Sequence, residues 1–127
     1  MMDFQKVKNQ LTMFTPQKFL TAVLTNEQDE DSSIIFSQQL EKQFEQNIQY
    51  LASEETISSE DVATWKKSEF LVIAQTIDGD YIAGTIHQTL VIPASLYKTD
   101  IEVFDLKLPD FFIEYTNNTL NSALLPK

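Results

Sequence analysis

The stretch that decides the fold covers residues 69–115 and reads EFLVIAQTIDGDYIAGTIHQTLVIPASLYKTDIEVFDLKLPDFFIEY. Residues 70–74 are almost continuously apolar, which predicts a strand that is covered on both faces. Asp78-Gly79 predicts a two-residue hairpin turn, because both residue types tolerate positive φ. Residues 81–86 and 89–92 then predict a second and a third strand.

Single residues refine the reading of this stretch. Gly84 lies inside the second strand, where glycine indicates a bulge or the close approach of another segment. Pro93 ends the third strand because it cannot donate to the ladder. Residues 97–104 predict a short helical or irregular turn. A helix is predicted to open at residues 108–110 and to end at Asn117.

Amphipathic helices are predicted before this stretch. Two apolar stripes recur at helical spacing, formed by Phe4, Val7, Leu11 and Phe14 and then by Phe19, Leu20, Val23 and Leu24. Thr15 before Pro16 is typical of an N-cap with proline at the first helical position, so a break is expected there. Residues 37–52 give the clearest amphipathic helix, with Leu40, Phe44, Ile48 and Leu51 on one face.

Shorter elements complete the pattern. Residues 34–36 predict a short strand, residues 26–33 an acidic loop, and Ser59 is expected to cap a brief helix over residues 60–66. Helices that lead and strands that follow indicate an α+β fold. We expect N-terminal helices packed on an antiparallel meander sheet, closed by a short C-terminal helix, in a single domain over residues 1–127.

Composition and charge narrow the classes of function. The 127 residues contain no cysteine, which excludes disulfides and thiolate zinc sites and favours a cytoplasmic protein. Nineteen acidic residues against nine basic ones give a formal net charge of -10, which disfavours nucleic acid and acidic membranes as partners. The acidic surplus either keeps the protein soluble or steers a basic protein partner toward it. The sequence leaves monomer or homodimer undecided.

Candidate catalytic and metal-binding residues are few. The chain has two glycines and one histidine, so phosphate-binding loops and His-rich metal sites are not expected, and no cofactor is predicted. Asp78 and Asp80 could share a metal or divide acid and base roles with His87, or they could serve only the turn. The run Asp29 to Asp31 lacks the glycine of a calcium loop and is expected to be solvated.

The aromatic residues of the C-terminal helix have two readings. Phe111, Phe112 and Tyr115 form a stripe at helical spacing. Such a stripe is more often core than surface, but an exposed stripe would be a partner-binding patch.

The segment from Phe70 to Tyr115 resembles the SUKH superfamily, which includes bacterial immunity proteins and regulators of cell-wall synthesis. The resemblance covers residues 70–74, 78–82, 91–93 and 104–112. It implies an α+β fold and a non-enzymatic binding role, with neutralisation of a cognate toxin, often a nuclease, as the leading function. A regulatory or scaffolding module linked to cell-wall synthesis is the alternative.

The resemblance and the charge together indicate a set of partner-binding residues. A nuclease cleft is positive, so an acidic inhibitor can occupy it by charge complementarity. The acidic candidates are Asp78, Asp80, Asp100, Glu102 and Asp105, with Asp29 to Asp31 as further members. Binding energy would still require an aromatic anchor.

Overall fold

A five-stranded antiparallel sheet forms the centre of the molecule. The computed structural model describes residues 3–25 and 33–125. The strand order is β1-β2-β3-β4-β5, so each strand pairs with its neighbour in sequence, as expected for a meander. The strands are β1 Ile34–Phe36, β2 Leu71–Thr76, β3 Tyr81–Gly84, β4 Thr89–Ile92 and β5 Glu102–Phe104.

Helices surround this sheet and confirm the α+β class. They are α1 Phe4–Gln10, α2 Pro16–Leu24, α3 Leu40–Tyr50, α4 Ser59–Lys66 and α5 Leu108–Thr116, with a 3-10 turn at Lys98–Asp100. The hydroxyl of Thr15 accepts the N–H of Lys18 at 3.1 Å, so the predicted cap is confirmed and the two N-terminal stripes are separate helices. The predicted acidic loop lies mostly outside the described residues.

The sheet is covered on both faces, which gives the protein two apolar cores. On one face, α1, α2 and α5 pack against residues such as Ile82 and Val91. On the other face, α3 and α4 pack against Tyr81, Ala83 and Leu90. Because successive side chains of a strand point to opposite faces, β3 and β4 contribute to both cores in turn. Residues 72–74 of β2 are likewise fully buried, as predicted.

The β2–β3 hairpin differs from the two-residue turn that was predicted. The N–H of Thr76 donates to the carbonyl of Asp80 at 2.8 Å, and the N–H of Gly79 donates to the carbonyl of Thr76 at 2.9 Å. The loop therefore has three residues, and only Gly79 has positive φ, at 94°. This arrangement is the other common short hairpin, in which one glycine in a left-handed conformation lets the strands rejoin.

Gly84 marks a close approach, one of the two predicted possibilities. A Cβ atom on Gly84 would lie 2.4 Å from Cδ1 of Leu108, the first residue of α5. Leu108 is fully buried, so the glycine leaves the space that α5 needs to pack on the sheet.

Three predicted boundaries were wrong. The helical or irregular turn predicted over residues 97–104 is a 3-10 turn only at Lys98–Asp100, and residues 102–104 form the edge strand β5. The N-cap of α4 is Ser58, because its hydroxyl accepts the N–H of Asp61 while the Asp61 carboxylate accepts the N–H of Ser58. The helix α3 is shorter than predicted, and Leu51 at its C-cap is exposed instead of buried.

The two edge strands have three residues each. Ile35 of β1 pairs with Gln75, and Val103 of β5 pairs with Leu90. Both apolar side chains are exposed, because α3 and α4 cover the middle of that face but not its margins.

Candidate protein-binding surface

One end of the sheet collects three loops that are distant in sequence. Tyr81 at the start of β3 pairs with Ile92 at the end of β4, and Glu102 at the start of β5 pairs with Val91. The β2–β3 turn, the segment after β4 and the start of β5 therefore share this end.

The loop before α4 joins the same end through backbone contacts. The N–H of Ile57 donates to the carbonyl of Leu96 at 3.0 Å, and the N–H of Lys98 donates to the carbonyl of Glu55 at 3.0 Å. Between these bonds, Thr56 forms an antiparallel bridge with Tyr97. We call residues 53–61, 77–80 and 93–102 the acidic end.

Charge is distributed unevenly between the two ends of the sheet. The acidic end carries Glu54, Glu55, Glu60, Asp61, Asp78, Asp80, Asp100 and Glu102. The same residues include one lysine, Lys98, whose ammonium lies 3.1 Å from the Asp61 carboxylate. Lys66, Lys67 and Lys107 lie at the opposite end, since they precede β2 and α5. A negative potential at the acidic end follows from this separation.

Asp61 is held in its charged form by local contacts. The backbone N–H of Ser58 donates to its carboxylate at 2.9 Å, which is the main cause that lowers the pKa of Asp61. Its contact with Lys98 acts in the same direction. Negative charge at the start of α4 is also favourable for the helix dipole.

Asp80 is one predicted binding residue that is buried. Its carboxylate accepts the N–H of Ala94 at 2.9 Å, and its own N–H donates to the hydroxyl of Thr76 at 3.2 Å. The side chain therefore ties the β2–β3 turn to the segment after β4. A partner that docks on the surface does not reach it, while Asp78 beside it is exposed.

The other acidic candidates divide between the two ends. Asp100 is exposed at the acidic end. Glu102 is half-buried, and its carboxylate accepts hydrogen bonds from the hydroxyl of Ser122 and from the N–H of Ala123, which fixes the C-terminal segment. Asp105 is exposed but follows β5, so it lies at the opposite end. Asp29 to Asp31 fall outside the described residues.

The aromatic candidates are mainly core residues. Phe111 and Phe112 are fully buried, and Phe112 stacks on Phe4 and Phe19 with centroid distances of 4.9 and 5.8 Å. Tyr115 is half-buried against the same core. The reading of this stripe as core therefore agrees with the structure for both phenylalanines.

Exposed aromatic residues occur instead within the acidic end, at Tyr97, and just before it, at Tyr50, where the sequence analysis did not place them. Tyr50 is 87% exposed and Tyr97 is 42% exposed. Tyr50 lies outside the apolar stripe of α3, so its position in the sequence already indicated that its side chain is exposed. The residues next to Tyr97 in sequence did not indicate its place on this surface, because its bridge partner, Thr56, lies 41 residues earlier in the chain.

Asp78, Asp80 and His87 do not converge. His87 is exposed in the β3–β4 turn, and Asp80 precedes β3, so the length of that strand separates them. Grooves between α3 and α4 and beside α2 are lined by other residues. Within residues 3–25 and 33–125, no three His, Asp or Glu residues are grouped as metal ligands would be.

A second charged cluster lies at the opposite end, between α3 and β2. The carboxylate of Glu41 accepts the N–H of Val72 at 2.6 Å, next to a shift in the β2–β3 register. A bulge leaves backbone groups without a partner in the neighbouring strand. The Glu41 carboxylate supplies an acceptor for the Val72 N–H in place of a strand carbonyl. Burial raises the pKa of Glu41, although the Val72 N–H and Lys66 oppose the rise. Lys66 also pairs with Glu45.

None of the described helices has the length and apolar character needed to cross a membrane. Comparison of the chain with protein-family models, with curated proteins and with solved structures gave no match to any of them.

Proposed function

We propose that this chain is a non-enzymatic acidic binding protein, resembling SUKH immunity proteins, that neutralises a cognate basic toxin by direct binding. A nuclease domain is the toxin class that fits best. The observation that supports the proposal is the uneven distribution of charge. The acidic end carries eight carboxylates and Lys98, whereas at the opposite end Lys66, Lys67 and Lys107 offset Glu41, Glu45, Glu69 and Asp105.

The physical argument concerns the partner's active site. A nuclease must attract phosphate, so its cleft carries Lys and Arg side chains. An oriented acidic surface would enter that cleft in preference to other surfaces and would be steered there at a high rate. Evenly dispersed charge of the same total would give solubility without this orientation.

The fold adds rigidity to the proposed surface. The loops of the acidic end are linked by the Asp80–Ala94 bond, the Thr56–Tyr97 bridge and the Lys98–Asp61 ion pair. A surface that is ordered before binding loses less conformational entropy on association.

The regulatory alternative has weaker support. It follows from the resemblance and predicts an exposed apolar patch around Phe111, Phe112 and Tyr115, but the first two residues are buried. Recovery of a cell-wall synthase, with no protection from any toxin, would favour it over neutralisation.

The test is co-expression with nuclease-type toxin domains, beginning with any that is encoded beside this chain. We expect the chain to restore growth, and we expect the purified pair to bind with an affinity that falls as salt is added. The variant Glu54→Lys/Asp100→Lys should lose at least about tenfold in association rate.

The matched control reverses the same amount of charge at the opposite end. Glu69→Lys/Asp105→Lys should bind at close to the wild-type rate, because both carboxylates are exposed where β2 begins and β5 ends, at the opposite end. Equal losses in both variants would show that only total charge matters, and absence of protection by the wild-type chain would refute neutralisation. Far-UV circular dichroism checks that both variants fold.

A further inference from the structure

Exposed apolar side chains within and just before the acidic end have no structural role that explains them. Tyr50 is the last residue of α3 and is 87% exposed, and Leu51 beside it is 38% exposed. Tyr97 is 42% exposed. Tyr81, by contrast, is buried, and its hydroxyl is hydrogen-bonded to Gln43 and Asn47.

Thr56 brings the segments that carry these side chains together. The hydroxyl of Thr56 is 3.1 Å from the carbonyl of Leu51, and its backbone pairs with Tyr97. Thr56 is itself buried. Thr56 therefore links the C-terminal end of α3, which carries Tyr50 and Leu51, to the segment that carries Tyr97.

Carboxylates lie close in sequence to both tyrosines. Glu54 and Glu55 follow Leu51 in the loop, and Asp100 follows Tyr97 by one turn, and all three are exposed. Lys98 does not neutralise them, because its ammonium is held by Asp61. The surface thus combines π-faces with uncompensated negative charge.

This combination fits one kind of occupant. An arginine guanidinium stacks on a tyrosine ring and pairs with a neighbouring carboxylate at the same time. A second copy of the chain would bring Glu54, Glu55 and Asp100 against their own equivalents and would be repelled. Nucleic acid would be repelled for the same reason.

We propose that Tyr50 and Tyr97 are the anchors of the binding surface, and that they receive an arginine-rich segment of the basic partner. This inference rests on the proposed function and adds its contact residues and the chemistry of the bound segment. The tyrosines would supply the short-range energy and the carboxylates the attraction at a distance.

The first experiment uses the toxin domain of the co-expression test, made catalytically inactive, and measures both rate constants. Tyr50→Ala/Tyr97→Ala should raise the dissociation rate by at least about tenfold with little change in association rate. The matched control is Ile35→Ala/Val103→Ala, which removes exposed apolar side chains at the sheet margins and should bind as wild type.

The outcomes separate the two proposals. If the wild-type chain does not bind the toxin domain, the proposed function fails. If it binds and the double tyrosine variant binds equally well, only the anchor assignment fails.

A second experiment needs no toxin. An arginine-rich peptide is titrated into the ¹⁵N-labelled chain, with a lysine-rich peptide of equal charge as the control. The largest amide shifts are expected at residues 50–56 and 96–100 with the arginine peptide, and they should disappear in the double tyrosine variant. Shifts spread over all acidic residues, or self-association that the variant abolishes, would overturn the inference.

Discussion

The Asp80 carboxylate accepts the backbone N–H of Ala94 at 2.9 Å, which joins the β2–β3 turn to the segment that follows β4. Asp78, two residues earlier, makes no such link and faces solvent. Two carboxylates of the same turn therefore have different roles, one inside the loop structure and one on its surface.

Asp80→Ala is expected to lower the free energy of unfolding by about 1–3 kcal/mol, because the loss of the buried Asp80 carboxylate removes the hydrogen bond that ties the two loops together. Asp78→Ala should change it by less than about 0.5 kcal/mol, as for other exposed positions. Urea denaturation of both variants measures the difference. Equal effects would mean that the Asp80–Ala94 bond does not stabilise the loops.

Gly84→Ala is expected to lower the free energy of unfolding by about 1–3 kcal/mol, because the added methyl group would overlap the buried Leu108 side chain. Thermal or urea unfolding measures this loss. The double variant Gly84→Ala/Leu108→Ala should lose less than the sum of the two single variants, since the smaller side chain makes room. Strict additivity would argue against the contact.

Glu41→Gln tests the raised pKa of the buried carboxyl. The folded-state pKa of Glu41 lies above its ordinary value of 4.5, because burial disfavours the charged form. As pH rises through this interval, the unfolded chain loses its proton first, so this group makes the folded state less stable above the folded pKa. The glutamine variant lacks this loss and should gain stability relative to wild type as pH rises.

Glu41→Ala is the companion variant for that measurement. It should show the same pH trend in urea titrations, but with lower stability at every pH, because the Val72 N–H would lose its acceptor. A difference between glutamine variant and wild type that stays constant with pH would contradict the raised pKa.

Ser58→Ala is expected to cost about 1 kcal/mol of stability, because the hydroxyl caps α4 by accepting the N–H of Asp61 at 3.2 Å. Ser59→Ala should cost less, since Ser59 is the first helical residue and is exposed. Thermal unfolding of the pair decides between the two serines. A larger loss at Ser59 would contradict the observed capping box.

Local patterns in the sequence were sufficient for most of the fold. The apolar period around Phe44 predicts α3, and the continuous apolar run at residues 70–74 predicts a doubly covered strand, because both patterns follow directly from which faces are buried. The strand β5 escaped prediction because its burial is the reverse of the usual pattern, with apolar Val103 exposed and charged Glu102 half-buried.

The candidate surface was harder to predict, because its assembly depends on long-range contacts. Glu55 and Lys98 are neighbours only through the pairing of Thr56 with Tyr97, and no spacing in the sequence encodes that pairing. Asp80 was mistaken for a surface residue because its partner, the Ala94 N–H, belongs to a different loop. The exposed position of Asp100 agreed with expectation because charged residues in turns are usually solvated.

The short edge strands of the sheet affect how the protein behaves at high concentration. A strand of three residues offers too few free backbone groups to template the growth of a fibril, and β1 and β5 both have that length. The carboxylates of Asp100 and Asp105 stand on either side of β5, so two molecules that approach along this margin repel each other. The protein should therefore resist aggregation at high concentration despite the apolar Val103 at its rim.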